Sequence, residues 1–173
     1  MAINDFFKVK DQGFVQLAAF DTERPDLAEY FPEFRTALAS AEVSAHLTKA
    51  HELIDTLKEG PTQEALDHLY QATWILKRAL LGQALEQADV PSSVFVISEG
   101  GMQIKLNPGF KVGDSVAILI IHTPELRSSL IQGQVVKAGT DALEIEFVQL
   151  TPRTRQNLAA RLLKIQAAQR KQD

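Results

Sequence analysis

The hydrophobic rhythm of the chain changes once, near Pro91. Ahead of it apolar residues recur at helical spacing. Beyond it they alternate at strand spacing between turn residues, until one last helical stretch. Over residues 41–59, Val43, Leu47, Ala50, Ile54 and Leu57 lie four, three, four and three residues apart, a heptad seam that Leu53 widens. The spacing predicts a helix with Ser40 as N-cap and Gly60-Pro61 as its stop. A second helix is predicted over residues 63–88, with Thr62 as its cap. Its stripe of Leu66, Leu69, Thr73, Leu76 and Leu80 runs beside another made by Tyr70, Trp74, Leu81, Ala84 and Leu85. Two stripes require more than one neighbour, and the short Gly60-Pro61 break predicts a helical hairpin.

Five short strands are predicted after Pro91. Residues 94–97 are apolar, and residues 102–106 alternate, with Met102, Ile104 and Leu106 on one face. Asn107-Pro108-Gly109 suits a turn in which proline presets φ and glycine accepts a positive one. Residues 115–121 are apolar on both faces, so both need cover. Residues 130–136 and 142–148 alternate on either side of the turn Gly139-Thr140-Asp141. Thr151-Pro152 then opens a helix, threonine as N-cap and proline at N1, that carries Leu158, Leu162 and Ile165 on one face. The expected class is α+β: a small antiparallel barrel with a C-terminal helix, preceded by a helical hairpin. Residues 1–90 form the arm and helical region and residues 91–173 the barrel part. Residues 13–20 are expected to supply a sixth strand or to pack on the barrel.

Composition narrows the chemistry. The 173 residues include no cysteine, which excludes disulfides, thiolate metal sites and thiol nucleophiles. The start, Met1 to Phe7, lacks a charged leader ahead of an apolar run, and the expected location is the cytoplasm. The net charge of −4 divides into +5 over residues 152–173 and −9 elsewhere. Cations late in a helix complement its dipole, and no aromatic residue interleaves with them for base stacking. The tail therefore reads as a solvated helix and not as a nucleic-acid surface. His46 and His51 lie five apart, not at the i, i+4 spacing of metal ligands. Ser98 is not in a G-x-S-x-G elbow. The loop at residues 109–115 has Asp114 where a phosphate loop needs lysine. No enzyme, metal or cofactor is expected.

Four segments, in order, carry a resemblance. Val96-Ile97-Ser98-Glu99-Gly100-Gly101 resembles the D/N-x-S-x-x-G signature of PilZ domains. Val112-Gly113-Asp114-Ser115-Val116, Gly133-Gln134-Val135-Val136 and the stretch from Ile145 to Pro152 resemble that family's later strands and helix start. The chain is similar to a divergent PilZ domain with an N-terminal helical extension. The resemblance implies a bacterial protein linked to cyclic di-GMP signalling. The family binds that nucleotide through an R-x-x-x-R motif ahead of the first strand and through the signature turn. Here no R-x-x-x-R precedes Val94, and Val96 replaces the Asp/Asn. Ser98 and Gly101 are thus a remnant of the nucleotide motif and read as turn residues. The expected protein is a non-enzymatic adaptor that works by protein contacts; the alternative is a cyclic di-GMP receptor with a non-standard site. Its candidate interaction surface is Val43, Leu47, Ile54, Leu57, Leu69, Leu76 and Leu80, and a homo-oligomer without membrane insertion is expected.

Overall fold

The computed structural model describes residues 8–106, 108–124 and 126–170, with the side chains of residues 37, 39–45, 47, 48 and 153 outside the description. Six strands close into an antiparallel barrel: β1 (Val9–Ala19), β2 (Ser92–Ile97), β3 (Gly101–Ile104), β4 (Ser115–His122), β5 (Arg127–Ala138) and β6 (Leu143–Gln149). Around the barrel the order is β1-β2-β3-β6-β5-β4. The sixth strand expected from residues 13–20 is β1, and it begins four residues earlier, at Val9. It closes the barrel by serving two neighbours. Val9 to Phe14 pair with β2, and Gly13 to Ala19 pair with β4.

Alternation fills the interior. Val9, Val15, Phe95, Ile97, Met102, Ile118, Ile131 and Ile145 are all almost fully buried in one cluster. Each such side chain stabilises by roughly 1.5–3 kcal/mol on leaving water. Gly133 faces inward where a Cβ would come within 2.5 Å of Ile145 Cγ2, so the interior leaves it no room for a side chain. The two-sided strand predicted at residues 115–121 is buried on both faces from Val116 to His122. The one-turn 3-10 helix Leu27–Tyr30 packs on β4 and β5 and supplies part of the outer cover.

The last helix, α3 (Pro152–Gln169), starts as predicted. Thr151 Oγ1 accepts from Thr154 N at 3.1 Å, and Pro152 sits at N1, where its missing N–H has no helical partner to lose. Leu158 and Leu162 join the barrel core, so α3 packs into that core and does not merely lie on the surface.

The helical unit, Pro32–Asp89, is inserted between β1 and β2. The strand-bearing arm up to Phe31 belongs to the barrel unit and not to the helical one. Its helices are α1 (Arg35–Ile54) and α2 (Pro61–Ala88). Both start earlier than the sequence pattern predicts. Ser40 lies inside α1; the 3-10 turn Pro32–Phe34 feeds directly into the helix, and Phe34 and Leu38, one turn apart, are buried. Pro61 does not stop α1 but opens α2 at N1, with Gly60 at the N-cap in place of Thr62. α1 ends at Ile54, where Thr56 Oγ1 donates to Leu53 O at 2.6 Å, and Leu57 falls in the turn beyond. His51 stacks on Tyr70 at 4.6 Å between centroids and joins the two helices. Lys77 Nζ lies 4.9 Å from the Trp74 ring centroid.

Candidate functional site

Ser98 and Gly101 sit in the tight turn between β2 and β3. Ser98 is fully buried. Its Oγ donates to Gly101 O at 3.2 Å and accepts from Gly100 N and Gly101 N at 3.3 and 3.2 Å. All the hydrogen-bonding capacity of the hydroxyl is therefore used within the turn, and none is left for a ligand. Val96 lies half-buried on β2 between Lys10 of β1 and Gln103 of β3. It offers no polar atom. Beside this turn an open cleft of about 490 Å³ is lined by Glu99, Leu150, Pro152, Arg155, Gln156 and Ala159. Its one carboxylate and one guanidinium cancel, so these residues give phosphate no net positive wall. Asp114 also works locally: its Oδ2 accepts from Lys111 N at 2.7 Å and shapes the turn into β4, and Gly113 takes φ +95° there.

A second polar cluster was not anticipated from the sequence. Asp11 on β1, His122 on β4 and Arg161 on α3 meet inside the barrel unit. Arg161 Nε donates to Asp11 Oδ2 and Arg161 Nη2 to Asp11 Oδ1, both at 2.7 Å. The same Nη2 donates to Thr123 O at 2.8 Å. An ionised carboxylate only accepts, so the proton between Asp11 and His122 is on Nδ1, which donates to Oδ2 at 2.9 Å. The Asp11 and His122 side chains are each 4% exposed. Burial alone would push the Asp11 carboxyl up. The hydrogen bonds from Arg161 and His122, with their charges, more than offset this and hold it well below the usual carboxylate range.

Ser129 Oγ lies 3.4 Å from His122 Nε2, so hydroxyl, imidazole and carboxylate stand in the order of a nucleophilic relay. The surroundings oppose that use. The carboxylate is already held by a guanidinium at both oxygens, and the imidazole is buried beside Phe95. The cluster fastens α3 to the barrel. Among the described residues, no group of three or more His, Cys, Asp or Glu is arranged to hold a metal ion.

The linkage has a sign. Because Asp11 titrates lower in the folded than in the unfolded chain, its contribution is full above the ordinary carboxylate pKa and is lost as pH falls through the depressed value. The stability advantage of the wild type over Asp11→Asn is expected to be present at about pH 5 and to shrink as pH falls below about 4. Urea unfolding of both proteins across that range measures it; an advantage unchanged down to pH 2 would contradict the assignment.

The residues proposed as an interaction surface divide. Val43 and Leu47 lie on α1, but their side chains are outside the described ones. Ile54 is only 5% exposed and is removed from that surface, because it is covered within the fold. Leu57 is exposed but beyond the end of α1. Leu69, Leu76 and Leu80 of α2 are 65%, 60% and 37% exposed, and Leu66 is 37% exposed beside them.

A closed six-stranded antiparallel barrel with a helix packed into its core, and a polar turn joining β2 to β3, define a small barrel of the PilZ type. The family model for the PilZ domain matches residues 82–164, and this part of the chain is a PilZ domain. The match takes in β2 to β6 and leaves out β1 and most of the helical unit. Among solved structures, a tetrameric PilZ domain protein from Xanthomonas campestris, self-assembled through a helical bundle, covers 95% of this chain and 89% of its own. The TM-score is 0.58 and the identity 14%, a likeness of fold. The PilZ domain of YcgR from Escherichia coli, with cyclic di-GMP, covers 49% of this chain and 80% of its own, at 17% identity and TM-score 0.38. The Bacillus subtilis inhibitor of motility MotI/DgrA covers 49% of this chain and 43% of its own, at 22% identity and TM-score 0.35. No match is found among curated proteins. Residues 82–91, which lead into the barrel, contain Glu86 and Asp89 and no basic residue.

Proposed function

We propose that this chain is a non-enzymatic PilZ adaptor of the bacterial cytoplasm, linked to cyclic di-GMP signalling, that works through protein contacts and does not bind the nucleotide. The observation that carries this reading is the signature turn: Ser98 is buried with its hydroxyl fully engaged, and Val96 replaces the polar residue. The acidic lead-in to the barrel supports it, since Glu86 and Asp89 would repel the nucleotide's phosphodiesters where the family places arginines. No cofactor is needed. Among the described residues no helix is long and apolar enough to cross a membrane. The contact surface is the helical unit, where large apolar side chains of α2 stand in solvent. Assembly into a homo-oligomer through that unit is part of the proposal, supported by the similarly folded Xanthomonas campestris protein that forms a tetramer through a helical bundle.

Thermal unfolding tests the nucleotide half of this reading. A ligand of Kd about 10 μM, present at about 1 mM, would add about 2.7 kcal/mol and raise Tm by about 5–10 °C. No shift is expected with cyclic di-GMP; a shift of that size would favour a receptor with a non-standard site.

A further inference from the structure

α2 carries an exposed face on which large and small residues exchange places about one central point. At about 100° per residue, the positions between Ala65 and Leu80 that share this face recur as a heptad seam flanked by alanines. About the midpoint between Ala72 and Thr73, Leu69 pairs with Leu76, Leu66 with Ala79, and Ala65 with Leu80. The covered face of α2 is a different one, made by Lys77, Leu81, Ala84 and Leu85. The formal charges of this stretch, Glu64, Asp67, Lys77 and Arg78, lie off this face, and His68 borders it.

From this we infer that α2 packs antiparallel against the α2 of a second copy of this chain, with a two-fold axis passing between positions 72 and 73. The inference rests on the proposed contact function and names its partner and geometry. Three features select a second copy. In a two-fold contact a residue on one copy meets its counterpart position on the other and the reverse, so any unpaired charge on the surface would be buried twice; this face has none. Antiparallel superposition about positions 72 and 73 sets each large side chain near the axis ends against a small one, Leu66 against Ala79 and Leu80 against Ala65. Only the central Leu69 and Leu76 meet as two large side chains. This alternation lets the helices approach closely while the leucines interdigitate. Finally, Leu69 and Leu76, the pair nearest the axis, are the most exposed leucines of the face, at 65% and 60%. The apolar area lost from water is therefore greatest at the centre of the contact, where packing excludes water best.

The antiparallel register makes a test that composition alone could not. Leu69→Glu places a charge opposite Leu76 of the other copy and is expected to weaken association about 100-fold, as desolvated charge without a partner does. The double variant Leu69→Glu/Leu76→Lys restores opposite charges at both contacts and should recover the wild-type mass at low salt. Leu69→Glu/Leu76→Glu should not. A parallel pairing would instead set like charges together in the first double variant and leave it dissociated. Sedimentation of the full-length chain at micromolar concentration reads the mass, and circular dichroism confirms that each variant stays folded. A monomeric wild type at every concentration overturns the inference, as does failure of the Glu/Lys variant to reassociate while folded. Either failure is separate from the nucleotide experiment, which tests the underlying reading without reference to mass.

Discussion

Replacing Arg161 with methionine is expected to destabilise the barrel by about 3–5 kcal/mol, the loss typical of a buried ion pair stripped of one partner. Methionine keeps much of the apolar stem and removes the hydrogen bonds to both Asp11 oxygens and to Thr123 O. Asp11 is then left charged, 4% exposed, with His122 as its remaining partner in the cluster. At this chain length the loss corresponds to a fall in Tm of about 10 °C. Removing the carboxylate as well, in Asp11→Leu/Arg161→Met, should recover much of the stability, because an apolar pair of similar volume leaves no uncompensated charge. Scanning calorimetry of the wild type, both single variants and the double variant gives the coupling directly. A loss below about 1 kcal/mol for Arg161→Met would mean that α3 is held by Leu158 and Leu162 and not by this cluster.

Gly13→Val is expected to cost about as much, by a different mechanism. Gly13 stands on β1 at the point where the strand passes from β2 to β4, paired with Ser93 on one side and His122 on the other. A Cβ there would overlap the Ile121 carbonyl oxygen and come within 3.3 Å of His122 Cα. Both are backbone atoms, so no side-chain rotation relieves the contact, and the β1–β4 ladder must part locally. Overpacking of this kind typically costs about 1–3 kcal/mol, and a β-branched residue held against backbone on a closing strand belongs at or above the upper end. Urea unfolding measures the loss. A variant as stable as the wild type would show that β1 does not close the barrel at this register.

Much of the barrel was legible because its strands obey a period of two. Met102 and Ile104, or Leu143 and Ile145, announce an inner face, and Thr151-Pro152 announces the helix that follows. The termini of α1 and α2 were less legible, since proline reads equally as a stop for one helix and as the first residue of the next. The polar cluster left a signal that was open to reading but easily missed. Asp11 is in phase with Val9 and Val15, His122 with Val116, Ile118 and Ile120, and Arg161 falls between Leu158 and Leu162 on the apolar face of its helix. Each residue alone looks like a tolerated exception. Arg161 in particular was grouped with a solvated basic tail. Only the meeting of three elements, 111 and 150 residues apart in sequence, makes their charges mutual partners. Likewise the two stripes of α2 were visible, but which one the fold covers depended on packing that periodicity does not encode.

The central claim is that this PilZ domain operates without the family's nucleotide, and calorimetric titration with cyclic di-GMP tests it most directly. The account predicts no saturable heat tighter than tens of micromolar, roughly −6 kcal/mol of binding free energy, for the wild type and for Ser98→Ala alike. A one-site isotherm below that concentration, abolished by Ser98→Ala, would contradict it and place the nucleotide at the turn between β2 and β3.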